Sequence, residues 1–326
     1  MGLREYVARR IFQLVITLWA FVTLLFVLFR MVPGDPTTRF VMDYPTAEQR
    51  EARIEELGLN EPLYIQYFEY IAGLLRGDFG DSTHYREPVS ELIYPFFLNT
   101  IVLMFTALLI AYTIGVLFGA AMGWLRGSRF ERGGIVAVLV ARSSPEFWIG
   151  IILVWIFVFQ LGLLPRAGIG GYGGELTLNV VDRYLNLSFL RHLILPALTG
   201  AIFYMATPAL LMRNTMLEVL KADFIEIKKA EGLPERTVLY KHAARNSVLP
   251  LVTVMAIATG AAMGGSVIIE TVFNWPGIGR EMVDSTRRND YPMAMATFLM
   301  MGTAVIVMNF VADLAYLYLD PRVKYE

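Results

Sequence analysis

The sequence predicts an all-α protein that crosses a membrane several times. Its 326 residues are 56% hydrophobic and only 17% charged. A soluble domain carries roughly 45–50% apolar and about 25% charged residues. The mean hydropathy is +0.52. Six stretches of 18 to 34 residues contain no Asp, Glu, Lys or Arg, and a spanning helix needs about 20 mostly apolar residues.

The first stretch, Ile11–Phe29, lies between Arg10 and Arg30. Arg9-Arg10 before an apolar run resembles a twin-arginine signal. A cleavable signal has a shorter apolar core and a small-residue cleavage site. This run is 19 residues long, ends in large side chains and meets Val32-Pro33-Gly34-Asp35-Pro36, so it reads as a retained anchor. The second stretch, Leu92–Leu125, exceeds one span, which we place from about Thr100 to Trp124. The third, Phe147–Leu164, follows a shorter run, Gly133–Ala141, across Arg142-Ser143-Ser144-Pro145-Glu146. It reads as one long or kinked helix; the alternative is two segments broken at Pro145. The fourth, His192–Met212, contains Pro196 and Pro208. The fifth is Asn246–Ile269, and the sixth, Tyr291–Ala312, continues past Asp313 to Leu319.

Six spans put both termini on one side, and basic residues choose that side. With the N-terminus inside, the inner segments hold 15 of the 28 Lys and Arg in 58 residues. The outer segments hold 12 in 113 residues, and all five Lys fall inside. The expected topology is therefore N-in, C-in.

Outside, residues 33–94 carry 12 acidic and 5 basic residues. Thr46 and Gln49 fit a capping box opening a helix to about Leu57, with Gly58 as its C-cap. Pro62 opens a second helix whose Tyr64, Phe68, Ile71 and Leu75 share one face, and Gly77 ends it. These helices either receive a partner or merely cap the membrane part. The last outer segment, Glu270–Asp290, contains Trp275-Pro276-Gly277-Ile278-Gly279-Arg280, a tightly bent stretch in which Trp275 suits an interfacial position. A plain connecting loop is the alternative.

Inside, Arg213–Arg245 carries 7 basic and 5 acidic residues. Met216, Leu217, Leu220, Phe224 and Ile227 recur at helical spacing, Gly232-Leu233-Pro234 makes a turn, and helix resumes toward Pro250. Such a helix–turn–helix either docks a partner or rests on headgroups.

Several chemistries are excluded. The absence of Cys removes disulfides and thiol catalysis. His84, His192 and His242 make no metal-ligand spacing. No Lys follows a Gly, so the chain has no phosphate-binding P-loop. No HExxH or Ser/His/Asp cluster suggests a peptidase. A net charge of −1 argues against nucleic acid. At membrane depth only Arg142, Glu146 and Asp313 are charged; Arg142 and Glu146, four apart, are expected to pair or to face a polar cavity. A secondary transporter would show internal repeats, and none is evident.

The chain resembles the permease subunits of ABC importers of the dipeptide/oligopeptide/nickel class, and more narrowly the first of their two paired permeases. The resemblance covers essentially the whole chain. Outside, it rests on Pro33-Gly34-Asp35-Pro36, Leu57-Gly58-Leu59, Glu61-Pro62-Leu63, Gly77-Asp78-Phe79-Gly80 and Trp275-Pro276-Gly277-Ile278-Gly279-Arg280. Inside, it rests on Asp223-Phe224-Ile225, Ala230, Gly232, His242-Ala243-Ala244-Arg245-Asn246 and Leu249-Pro250.

The resemblance implies a type I importer fold, with an N-terminal helix and outer segment over 1–94, a five-helix transmembrane domain over 95–320 and a cytoplasmic tail over 321–326. It makes 213–246 the EAA loop that docks on an ATPase. Asp223, Phe224, Glu226, Ile227, Ala230, Glu231, Gly232, His242, Arg245, Asn246 and Pro250 would act there. Glu226 stands where the family Glu falls, while Ile227 and Lys228 replace two alanines and Glu231 a common Lys. Arg142, Pro145 and Glu146 are candidates for the translocation path. The implied partners are a second permease, two ATPase domains, an extracytoplasmic solute-binding protein and membrane lipid, with no nucleic acid. The chain itself would hold no cofactor, since ATP and Mg sit on the ATPases, and it would catalyse no reaction in the cell membrane. Peptides are the implied cargo; nickel chelates or oligosaccharides are the alternatives, and a secondary transporter the remote one.

Overall fold

The computed structural model describes residues 3–31, 46–56, 60–170, 183–262 and 265–319. Among them the regular structure is helical, apart from an isolated antiparallel bridge between Asp81 and Pro88. The first helix, α1 (Leu3–Met31), extends the predicted span by more than a turn at its start. Its Phe12, Val15, Trp19 and Leu28 side chains are exposed, as suits a surface whose solvent is hydrocarbon. Helix α2 (Ala47–Glu56) begins where Thr46 accepts the Gln49 amide at 3.3 Å. The expected C-cap, Gly58, lies outside the described residues.

Helix α3 (Leu63–Arg76) ends at Gly77, whose φ of 78° supplies the left-handed cap. The apolar face formed by Tyr64, Phe68 and Leu75 is not the one it turns inward. Gln66 is buried, and Tyr67 and Tyr70 pack on Phe26 of α1 with centroids 5.3 and 5.8 Å away. Tyr64, Phe68 and Leu75 point outward. Aromatic anchoring to α1, joined by the Thr23–Tyr67 hydroxyl pair at 2.7 Å, determines the orientation.

Helix α4 (Val89–Trp124) has 36 residues, roughly 54 Å of rise against a hydrocarbon core of about 30 Å. It begins well before Thr100. The extra turns bury Val89, Leu92, Ile93 and Phe96 against Ile278, Met293 and Ala296 at one end of the molecule.

The third predicted span is not one helix. Helix α5 (Arg129–Ser143) and helix α6 (Glu146–Val154, continued by a π-helical turn Trp155–Gln160) are bent by 103° at Ser144-Pro145. Pro145 lacks an amide hydrogen and disfavours helix at the residue before it, and Ser144 is extended there at ψ 137°.

Helices α7 (Leu187–Tyr204) and α8 (Ala206–Val219) form the fourth element, joined at Met205. They run parallel to α4 and pack closely against it. Cβ atoms added at Gly115, Gly119 and Gly123 would lie 2.9, 2.3 and 2.8 Å from Met205, Ala209 and Met216. After α9 (Asp223–Ala230) come three short pieces, Glu235–Thr237, a π-helix Val238–Ala244 and Arg245–Ser247.

The fifth predicted span is also interrupted. Helix α10 (Leu249–Ala262) has 14 residues, Gly265 takes a φ of 73°, and α11 (Val267–Val272) follows. Helices α12 (Ile278–Arg287) and α13 (Tyr291–Leu319) complete the chain. Among the described residues four helices are long and apolar enough to cross a membrane, or five if α5–α6 counts as one span. The molecule has two opposite ends. The Thr23–Tyr67 and Phe29–Tyr291 contacts mark one; the Arg10–Asp313 ion pair at 3.0 Å marks the other.

Candidate functional site

The segment after α8 is fastened to its own chain on one side and bare on the other. Ile225, Val238 and Ala243 are fully buried with Met212, Met216 and Leu251. The Thr215 hydroxyl, within reach of its own helix's Leu211 and Met212 carbonyls, also reaches the Ser247 carbonyl at 3.0 Å and so brings the segment's two ends together. Ser247 donates in turn to the Ala243 carbonyl at 2.9 Å. Phe224, Ile227 and Tyr240 remain exposed, Tyr240 by 66%. Asp223, Glu226, Ala230, Arg245, Asn246 and Pro250 are exposed too, and His242 is half-buried. Glu231 is drawn into an ion pair with Lys228 at 2.8 Å. At the turn Gly232 has a φ of 77°, and a Cβ there would meet open space. Its glycine is required by backbone conformation, since L side chains resist that region.

A tie that sequence reading missed anchors this segment. Glu131, in the first turn of α5, is buried. It accepts from the Arg213 guanidinium, through Nε at 2.9 Å, and from the Gly127 amide at 2.6 Å. These bonds, Arg213 first, hold its carboxyl below the usual carboxylate range. Ser128 caps the helix by accepting the Glu131 amide at 3.1 Å. Ser128 and Glu131 in S-x-x-E spacing were the available signal; the partner, 82 residues away, was not.

At the opposite end the Trp275–Arg280 stretch is a buried knot. Trp275 is fully buried and donates from Nε1 to the Asn99 carbonyl at 3.1 Å. This corrects the interfacial placement, because its indole N–H finds a protein partner beneath the surface. Asn99 donates to the Pro276 carbonyl at 2.7 Å, and Tyr184 donates to Asn99 at 2.7 Å. Beside them Glu270 is completely buried. It accepts from Thr100 at 2.6 Å and from the Arg280 amide at 2.7 Å, while Thr100 accepts the Ile278 amide at 2.9 Å. Cβ atoms on Gly277 and Gly279 would lie 2.4 and 3.0 Å from the Glu270 carboxyl group. These glycines are therefore required by contact. A second clasp lies nearby: buried Asp290 accepts from Ser82 and from the amides of Thr83 and His84 at 3.2 and 3.1 Å. Pro33, Gly34, Asp35 and Pro36 lie outside the described residues.

Arg142 and Glu146 do not pair. The break at Pro145 puts them on different helices, so the four-residue spacing brings no shared face. Arg142 lies over the Phe203 ring, 4.4 Å from its centroid. Glu146 accepts from Ser266 at 2.8 Å, and the Tyr204 hydroxyl faces the same carboxylate. Asp313, the other charge at membrane depth, pairs with Arg10 instead.

Residues 115–325 match the model of the binding-protein-dependent transport system inner membrane component, and residues 3–112 match the N-terminal part of such membrane components. This chain belongs to that permease family. The permease is 36% identical to the oligopeptide transport system permease protein AppB of Bacillus subtilis, over 98% of this chain and 99% of the relative. It is 35% identical to the di/tripeptide permease DppB of Pseudomonas aeruginosa and 34% identical to the glutathione permease GsiC of Salmonella typhi, each over 99% of both chains. A solved structure of the MetNI methionine ABC transporter, inward facing, shares the fold at a TM-score of 0.53 and 16% identity, over 69% of this chain and 94% of that one.

The permease is thus a non-catalytic, helical component of the inner membrane, from an ABC importer family that carries no cofactor of its own. Among the described residues no group of His, Cys, Asp and Glu is arranged to hold a metal. The two family segments meet at residues 112–115, inside the single helix α4. They are therefore not separately folding units.

Proposed function

We propose that this permease forms half of a peptide pathway, taking peptides from an extracytoplasmic binding protein under the power of separate ATPases. Peptide cargo is supported by relatives named for oligopeptide and di/tripeptide transport. The proposed topology has six spans, N-in and C-in, with the broken pairs α5–α6 and α10–α11 each counting as one. The knot around Glu270 then faces outward, and Arg10, Glu131 and α9 face the cytoplasm. The proposed segments are 1–94, 95–320 and the tail 321–326, the first two sharing α4 and so belonging to one folded unit. A second permease, two ATPase domains and lipid complete the assembly.

One observation carries the coupling role of residues 213–246. Their inner face is locked into the permease while Phe224, Ile227 and Tyr240 stand exposed around a Gly232 that faces open space. A lever must be stiff where it is attached and complementary where it is pushed. Phe224 and Ile227 would be buried in the ATPase groove, with Lys229 and Arg236 setting register.

Gly232→Val tests this, with Gly232→Asn as control, since Asn tolerates the left-handed backbone. Both variants insert in the membrane. Gly232→Val loses co-purifying ATPase and peptide-stimulated hydrolysis. Gly232→Asn retains more of each if backbone strain dominates, and fails equally if the contact has no room. Normal assembly, hydrolysis and uptake in Gly232→Val would falsify the coupling role.

A further inference from the structure

The two helix breaks of this permease meet. Pro145 opens the gap between α5 and α6, and Gly265 precedes α11 across the second interruption. Ser266 caps α11, accepting the Ile269 amide at 3.2 Å, and donates to Glu146 at 2.8 Å. One hydrogen bond therefore joins the first residue of α6 to the cap of α11, 120 residues away. Tyr204, the last residue of α7, presents its hydroxyl to the same carboxylate and lies within electrostatic reach of Arg142. Irregular backbone at membrane depth persists only where it is buried in protein or lines a watery cavity. Discontinuous helices are also where transporters place charged substrate groups.

The charges here are set for a ligand. Arg142 is exposed and makes no ion pair among the described residues. Its guanidinium carbon lies 4.4 Å from the Phe203 ring centroid, a cation–π contact that holds the group in place without using its N–H donors. Glu146 is half-buried, with one oxygen held by Ser266. A charge facing hydrocarbon without a partner is costly. Two opposite charges so close along the chain that stay apart, one held by hydroxyls and the other over a ring, keep ionic capacity free for an outside partner.

We infer that Glu146 and Arg142 form a dipolar subsite on the translocation route, Glu146 receiving the ammonium of a zwitterionic peptide and Arg142 a carboxylate. Ser266 and Tyr204 are positioning residues that aim Glu146. This rests on the proposed peptide importer function.

The test uses the full importer in proteoliposomes, with one binding protein throughout. Uptake is measured for a free dipeptide, its N-acetyl form and its C-terminal amide, and each variant is scored against wild type so that selection by the binding protein cancels. Glu146→Gln lowers free-dipeptide uptake about tenfold and leaves the N-acetyl form nearly unchanged. Arg142→Gln does the same for the free carboxylate and spares the amide. Ser266→Ala reproduces the Glu146 pattern more weakly, as a raised half-saturating concentration. A uniform loss across all three peptides in assembled importer gives these residues a structural role and overturns the subsite, as does no loss at all. Absence of ATP-driven uptake of any peptide by wild type overturns the peptide reading and this subsite with it. Should Glu146→Gln fail to assemble, Ser266→Ala alone decides.

Discussion

Buried acids outside the membrane are the residues whose chemistry is easiest to interrogate. Glu281 of α12 is buried, accepts from the Tyr85 hydroxyl at 3.1 Å and has Arg288 at 3.9 Å, with Asp284 and Asp290 also nearby. Desolvation, opposed by the Tyr85 bond and Arg288, pushes its carboxyl from 4.5 up to about 7. The folded protein thus holds a proton in that interval that the unfolded chain has released. Its contribution to stability is full in acid and declines as pH rises through the window. Thermal unfolding in detergent at about pH 5 and about pH 8 will show a steeper alkaline loss in wild type than in Glu281→Gln. Equal slopes would remove Glu281 from the pH response. Gly277 gives a second residue-scale expectation. Gly277→Ala drives a methyl into the Glu270 carboxyl group and lowers the unfolding temperature, at a cost of about 1–3 kcal/mol. Gly133→Ala, where a Cβ meets nothing within 4 Å, is the neutral comparison.

At the scale of elements, α4 and α8 are held by contact between backbones. Gly115, Gly119 and Gly123 let the helices approach so closely that a side chain at Gly119 would strike the Ala209 carbonyl. Gly119→Leu is expected to prevent stable insertion, read as loss of the protein from the membrane fraction. If Gly119→Leu accumulates normally, the helices must separate readily and the contact is not structural. Elements also show what the sequence could and could not tell. Apolar runs located α1, α4, α7–α8 and α13, because span length and the absence of charge are local properties. The helix–turn–helix after α8 was legible from Gly232, Pro234 and the helical spacing of its apolar residues; the coupling role proposed for it comes from the family resemblance. A kink or break at Pro145 was among the readings, but its 103° angle and the interruption around Gly265 were not, since hydropathy counts residues and is blind to direction. Nor were the Glu270 and Glu131 sites, whose partners are 170 and 82 residues away. Which face of α3 turns inward was not legible, because the Phe26 ring that Tyr67 and Tyr70 meet lies far back in the chain on α1; Tyr64 and Phe68 stay exposed. Beside an outer leaflet they can rest against headgroups.

For the whole molecule, the proposed topology makes a test that the Cys-free sequence keeps clean. A single Cys at Glu51 on α2 should react with an impermeant thiol reagent from outside, and one at exposed Lys229 on α9 only from inside. Labelling of Glu51→Cys from the cytoplasmic side alone would reverse the molecule and remove the coupling argument with it.

Helix α4 touches both ends of that molecule. Its first turns hold the knot through Asn99 and Thr100, and its last lie against Val219, Leu220 and Met216 at the root of the coupling segment. A single helix of this length can carry a tilt from one end to the other. In the proposed assembly, any part of the ATPase free energy that tilts α4 would appear as altered affinity at the outer end, and that coupling would be reciprocal by linkage. Arrival of loaded binding protein and arrival of ATP become two ways of leaning on one beam.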